Sequence, residues 1–305
     1  MKKLFCRLLI LFLLVFATMI IIILIPLPPN SYHLAIIDKH KRLENTEAPR
    51  IVLAGGSNLA FGIDSELIQD ALDIPVINTG LQAGFGLGRM LDDLAPFFGP
   101  GDILVIVPEY QHFDSDWNGD EAAYNLICDA RQYRLLVNPP LYGFPSGISS
   151  YLRSKVSAMI PGPPAPLAYT RDGFNGYGDY VKHLGVENQK FVSLEPLKTL
   201  ERQYLEQFFR LVDTFAMRGI RVLISYPSYE ESPFLASETF IHELDEAFKD
   251  RAVTVISNPQ DYAFSRSYFY DTSYHLNAEG RELRTTRLIR DLERYYQGGS
   301  TDRTP

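Results

Sequence analysis

The chain is 305 residues long, 46% hydrophobic and 22% charged, with a formal net charge of −8. That length accommodates one sizeable domain beyond a targeting segment, and the acidic balance leaves a nucleic-acid partner without electrostatic support. Cys6 falls in an apolar N-terminal run and Cys128 in the body, so they are expected in different compartments and no disulfide framework is expected. Cys128 reads as a small buried hydrophobe.

In chain order, Lys2, Lys3 and Arg7 precede an almost wholly apolar run from Leu8 to Leu24. With its flanks, Leu4 to Leu27 is long enough to cross a bilayer core of about 30 Å as a helix. The run ends in IPLPPN without a small-residue A-x-A pattern, which favours an uncleaved signal-anchor over a cleaved signal peptide. The basic N-terminus favours an N-in orientation with the bulk exported, although Lys39, Lys41 and Arg42 follow the span. Residues 1–27 are thus expected as anchor and 28–48 as juxtamembrane linker. Within that linker KHKR, 39–42, reads as a solvated face, with lipid head groups as the other candidate contact. Residues 49–296 are expected as one domain and 297–305 as a disordered tail.

The body alternates strand-like and helix-like segments. Ile51 to Ala54 reads as a short buried strand, with Asp64 as N-cap of a helix through about Leu72. PVINTG (75–80) is a second strand, followed by a helix from about Leu87 to Phe97. DILVIVPEY (102–110), nearly continuous in apolar residues, is a third strand buried on both faces. A helix over about Leu197 to Arg218 is stopped by Gly219. RVLISYP (221–227), a helix over about Ser237 to Lys249, AVTVISNP (252–259) and a helix over about Asn277 to Tyr296 complete the pattern. The expected class is α/β, a mainly parallel sheet with helices on both faces. An irregular insert, 111–196, rich in Pro, Gly and Tyr, leaves the carboxyl edge where such folds bind ligands. Its tyrosines would suit stacking on sugar rings; packing of the insert's own core is the favoured account.

Two stretches carry chemistry. In GGSN (55–58) a serine stands at a Gly-rich turn between strand and helix; taken alone the stretch reads most simply as a plain Gly-rich βα turn, but the position can project the hydroxyl above the sheet edge and face backbone N–H groups toward a developing oxyanion. In FYDTSYHLNAEG (269–280), His275 precedes a helix whose cap is Asn277, and Asp271 lies shortly before it. An Asp so placed can hold the imidazole tautomer while the His accepts a serine proton. Ser57, His275 and Asp271 are all expected at the same sheet edge.

These blocks resemble the SGNH (GDSL-type) hydrolase superfamily, especially its membrane-anchored branch in bacterial envelope-polymer acylation, the DltD-like and alginate-acetylation proteins. Ser57 matches the nucleophile, Gly80 in NTG (78–80) the glycine that lends an oxyanion N–H, His275 the base and Asp271 the acid. The chain departs from the pattern in three ways. Gly56 replaces the usual Asp before the serine, the acid lies four rather than three residues before the His, and Glu109 stands roughly where the third block carries an Asn. Gln111 is the candidate replacement amide donor, and Asn58, Asn78 and Glu109 are candidate modulators. The resemblance implies a flavodoxin-like three-layer domain on the outer side of a bacterial cytoplasmic membrane, a single-pass protein. It implies a serine esterase or O-acyltransferase acting on an acylated envelope polysaccharide or related polymer, with a membrane-bound O-acyltransferase as partner and no metal or nucleotide cofactor. The competing expectation is a catalytically degenerate scaffold or polymer-binding subunit of the same system.

Other motifs are weak. GFGLGR (84–89) ends in Arg89 where a dinucleotide fingerprint needs Gly, and it follows the second strand. DSDWNGDEAAYN (114–125) begins like a calcium loop through Asp114, Asp116, Asn118 and Gly119, but Asn125 takes the place of the bidentate Glu. His112 beside it has no partner at metal-ligand spacing.

Overall fold

The structure is a computed structural model that describes residues 2–25, 28–132, 144–159, 169–187, 189–251 and 253–298. Helix α1, Lys2–Leu24, is long and apolar enough to serve as a membrane anchor or a signal, with a mean hydropathy of 3.0 and no burial against the body in its most apolar window. A single turn, Tyr32–Leu34, then leads into α2, Ala35–Asn45. The segment expected as a linker is therefore structured. Ala35, Ile36, Lys39, His40 and Leu43 recur at helical spacing and bury one face of α2 in the body. Two members of the KHKR run are interior: Lys39 Nζ donates to the carbonyls of Asn78 (3.0 Å) and Gly178 (2.6 Å), and His40 Nε2 lies 2.6 Å from Asp93 Oδ2.

The body follows as β1 (Ile51–Gly55), α3 (Ser57–Ala60), α4 (Ser65–Leu72), β2 (Val76–Asn78), α5 (Leu87–Leu94) and β3 (Ile103–Val107). Next come α6 (Glu121–Asp129) and α7 (Phe144–Met159), inside the stretch expected to be an irregular insert, then α8 (Arg202–Met217) and β4 (Arg221–Ile224). The chain closes with β5 (Tyr229–Glu230), α9 (Glu231–Ala236), α10 (Glu238–Asp250), β6 (Ala263–Phe264) and α11 (Ala278–Gly298). The main sheet is parallel throughout in the order β2-β1-β3-β4, and β5 and β6 form a separate parallel pair. Strand alternation divides the sheet's side chains between two cores. Val52, Ala54, Leu104 and Ile106 pack with apolar residues of α2, α5, α8 and α10, whereas Ile51, Leu53, Ile103 and Val105 pack with Ile68 of α4 and with Leu288 and Leu292 of α11.

Two boundaries depart from expectation for local reasons. α8 begins at Arg202 rather than near Leu197, because side chains from elsewhere take the preceding amides. Leu197 N–H donates to Ser237 Oγ, and the N–H groups of Lys198 and Thr199 donate to Asp114 Oδ1. Among its described residues, 253–259, the expected fifth strand, 252–259, contributes an isolated bridge between Val255 and Ile224. Beyond it Tyr226 N–H donates to the Ser257 hydroxyl instead of a strand carbonyl, and Pro259 has no N–H to continue the ladder. The expected tail overlaps the end of α11, and 299–305 lie outside the described residues, as do most of the Pro-rich stretches at 137–147 and 160–169.

Candidate active site

Parallel β1, β2 and β3 bring their carboxyl ends to one edge of the sheet, and the candidate residues lie just beyond it. A Cβ at Gly55 would strike the Val107 carbonyl of the paired strand. At Gly56 φ is −87°, open to any residue, so the demand there is steric: a Cβ would run into Glu109 Oε1. Ser57 opens α3. Its hydroxyl donates to Glu109 Oε1 at 3.2 Å, and Asn58 N–H donates to the same oxygen at 3.0 Å. Asn58 Nδ2 donates to the Val107 carbonyl at 3.2 Å, tying the turn to the end of β3.

Glu109 is 1% exposed. Gln111 Nε2 donates to its Oε2 at 3.0 Å, so the amide expected to be free for an oxyanion is engaged. Burial raises the Glu109 carboxyl above its usual range, while the Asn58 N–H, the charge of facing His275 and the Ser57 hydroxyl oppose that rise. Burial also lowers the His112 imidazole to about 4, which leaves it neutral. Glu109 N–H donates to His112 Nδ1 at 3.1 Å, and the other ring nitrogen meets the Ala83 carbonyl at 3.3 Å. His112 thus fixes the Glu109 backbone.

The distant block meets this edge. His275 Nδ1 lies 2.8 Å from Asp271 Oδ1 and donates its proton to that oxygen. The extra residue between them is taken up in a tight loop, closed by Tyr270 N–H donating to the His275 carbonyl at 2.8 Å and braced by Thr272 Oγ1, which accepts from His275 N–H at 3.3 Å. Burial raises the Asp271 carboxyl, but the hydrogen bonds from His275 and Tyr169 outweigh it and hold the group below its usual range. Tyr169 OH donates to Asp271 Oδ2. Phe61 stacks on the His275 ring, centroids 4.2 Å apart and planes 12° apart. Neither aromatic was singled out in the sequence. Phe61 stood in plain view within the Ser57 stretch, whereas nothing local marks Tyr169, which lies far from both blocks.

Ser57 and His275 line one open cleft, together with Ser31, Tyr32, His33, Phe61, Leu81, Gln82 and Tyr169. Gly80 packs beside the Ser57 turn, where a Cβ would lie 2.7 Å from the Gly56 carbonyl, and its N–H donates to Asn78 Oδ1 at 2.9 Å. Asn78 is in turn oriented by its Nδ2, which donates to Leu59 O (2.9 Å) and to buried Asp179 (2.8 Å). Two polar atoms of the cleft walls, Gln82 Nε2 and His33 Nδ1, are buried with no protein partner among the described residues.

Among the described insert tyrosines, Tyr124, Tyr151 and Tyr180 are buried, whereas Tyr169 and Tyr177 are half-buried and Tyr169 lines the cleft. Tyr180 is fully buried against Phe61, Tyr169 and Phe174. The calcium-like loop uses its acids as caps: Asp120 accepts from Ala122 N–H at the start of α6, and Asp114 serves the amides before α8. Arg89 of the glycine-alternating stretch is buried and donates to the Asn118 carbonyl. No family model and no curated protein matches this chain.

Proposed function

We propose that the cleft carries out serine-based acyl chemistry, hydrolysis or transfer, within an SGNH-like three-layer domain anchored by α1 and exported. The observation that supports it most is the shared cleft of Ser57 and His275, with Asp271 hydrogen-bonded to the far ring nitrogen. Ser57 attacks an acyl carbonyl and His275 accepts its proton, then returns it to the leaving alcohol. Asp271 keeps the imidazole in the correct tautomer, with Tyr169 steadying Asp271. Ser57 N–H, at the first position of α3 where no helical acceptor precedes it, can face the oxyanion. Gln82 Nε2, buried without a protein partner among the described residues, is the side-chain amide proposed to join it, since Gln111 is held by Glu109. The Gly80 N–H expected for this role is instead engaged by Asn78 Oδ1. By family resemblance the substrate is an acylated envelope polysaccharide or related polymer and the partner a membrane-bound O-acyltransferase.

A second reading, a non-catalytic scaffold or polymer-binding subunit, draws on Glu109: its carboxylate holds the Ser57 hydroxyl and sits where the superfamily carries an amide. A fluorophosphonate probe separates the two. Acyl chemistry requires labelling at Ser57 that disappears in Ser57→Ala and falls at least 1000-fold in rate in His275→Ala, the order seen when a triad member is removed. A folded protein that takes no label supports the scaffold. Export is tested separately with reporters fused after Pro305: activity of a cytoplasmic reporter and silence of a periplasmic one would reverse the topology.

A further inference from the structure

The rim of the cleft is made by the strap of chain that leaves α1. Ser31, Tyr32 and His33 line the cleft with Ser57 and His275, and they follow the last described residue of the apolar segment, Ile25, by only a few positions. Even fully extended, the chain from Ile25 to Ser31 spans no more than about 20 Å. α1 at about 1.5 Å per residue is about 35 Å long, enough to fill the hydrocarbon and end at the head groups.

The strap is fixed to the body. Ser31 bridges Thr170 in antiparallel fashion, Asn30 O accepts from Arg171 N–H at 3.0 Å, and Tyr32 OH donates to Leu81 O at 2.7 Å. The end of the anchor is fixed as well. Lys155 on α7 is 4% exposed; its Nζ donates to the Ile25 carbonyl at 2.6 Å and lies 3.2 Å from Asp129 Oδ1. A buried cation thus caps the C-terminal end of α1 and joins it to the body. Arg171 adds an ion pair to Asp38 of α2, 2.6 Å away. With no slack between span and rim, the body cannot rise from the bilayer to meet a substrate in bulk water.

From this we propose that the cleft takes an ester held in the bilayer, a lipid-anchored acyl carrier whose polar head reaches the cleft from the adjoining leaflet. The proposal rests on the acyl chemistry above. Half-buried Tyr32 and Tyr169 line the cleft and offer apolar ring surface to such a molecule, and the cleft wall also holds two buried polar atoms without a protein partner among the described residues, Gln82 Nε2 and His33 Nδ1. Attack by Ser57 Oγ on the ester carbonyl releases the carrier's alcohol, which takes the proton from His275 and stays in the membrane. The acyl group remains on Ser57 until water or a hydroxyl acceptor removes it.

The test uses the full chain in phosphatidylglycerol vesicles and two matched esters, an acetylated octadecyl glucoside embedded in the same vesicles and an acetylated methyl glucoside in solution. The embedded ester should be preferred on the order of 100-fold, the scale of an effective-concentration advantage. A rigid helical spacer of about 20 residues, inserted between Leu24 and Ile25 so that the Ile25 to Lys155 contact survives, lifts the body by about 30 Å. It should abolish that preference while leaving fluorophosphonate labelling of Ser57 and turnover of the soluble ester unchanged. Equal turnover of the two esters, or a preference that survives the spacer, overturns the bilayer-facing cleft while leaving acyl chemistry standing. Absence of both turnover and labelling in folded protein overturns the acyl chemistry and this inference with it.

Discussion

Replacing Glu109 with Gln should make the cleft a faster acyl-transfer site. In the native arrangement the Glu109 carboxylate receives the Ser57 hydroxyl at 3.2 Å and so competes with His275 for that proton. An oxyanion on a carbon bonded to Ser57 Oγ would lie about 5 Å from Glu109 Oε1. At an effective dielectric of about 20, like charges at that separation repel by about 3 kcal/mol, or about 200-fold in rate. The amide retains the shape of the carboxyl and an acceptor for Asn58 N–H while removing the charge. Fluorophosphonate labelling of Ser57 and hydrolysis of p-nitrophenyl acetate should therefore both rise on the order of 100-fold. The raised pKa of Glu109 gives the effect a pH signature: the advantage of Glu109→Gln should be greatest where the carboxyl is ionised and shrink as pH falls and the native group becomes neutral. A drop of tenfold or more in labelling of folded Glu109→Gln would refute this reasoning and make the carboxylate the proton acceptor for Ser57.

Asp271→Asn should lower labelling by about 1000-fold or more through loss of the tautomer, whereas Tyr169→Phe, which removes one charge-assisted hydrogen bond worth about 2 kcal/mol, should lower it by about 30-fold; equal losses would deny Tyr169 a subsidiary role. Gln82→Leu should reduce kcat on a soluble ester by about 100-fold with little change in KM if it meets the oxyanion, and Gln111→Leu should not reproduce that loss. Gly56→Ala should destabilise the domain by about 1 to 3 kcal/mol through its clash with Glu109. Glu109→Ala should relieve much of that, measured as a double-mutant cycle in chemical denaturation, while Gly55→Ala, which meets backbone at Val107, should gain no relief. Burial lowers the Lys39 ammonium from 10.5 to about 7. The unfolded chain therefore holds more protons between those values, and stability should rise with pH across that window by up to about 1.4 kcal/mol per unit. Lys39→Met should flatten the slope in denaturation curves recorded from pH 7 to 10; an unchanged slope would show that Lys39 is not its source.

Gly56 and Glu109, two positions where the chain differs from the pattern it resembles, meet in one packing event. The carboxyl of Glu109 fills the space that a side chain at position 56 would need, and an Asp there would add a second negative charge beside it. Each change looks arbitrary when read along the chain, because the two residues are remote in sequence and meet only where β1 and β3 pair. The same limit explains the misplaced linker. Residues 35–45 carry charges at Asp38, Lys39, Lys41, Arg42 and Glu44, and only the helical spacing of Ile36, His40 and Leu43 hints at a buried face. Burial of Lys39 depends on carbonyls supplied by Asn78 and Gly178. The segment at 253–256 is apolar enough for a strand, yet its ladder ends after one bridge because side-chain acceptors and Pro259 intervene.

The sequence by itself determined the apolar N-terminal helix, the buried strands β1 and β3, the capping of α4 by Asp64 (Leu67 N–H donating to Oδ1 at 3.3 Å) and of α11 by Asn277, and the residue types able to do the chemistry. These follow from hydrophobic periodicity and short-range hydrogen bonds, which lie within a few residues of one another. Tertiary structure alone decided which groups stand together: Glu109 on the Ser57 hydroxyl, Tyr169 on Asp271, Phe61 beneath His275, and the Ser31–His33 strap in the wall of the cleft. Such contacts join residues tens to hundreds of positions apart, and no local propensity encodes them; they exist because parallel strands deliver their carboxyl ends to one edge.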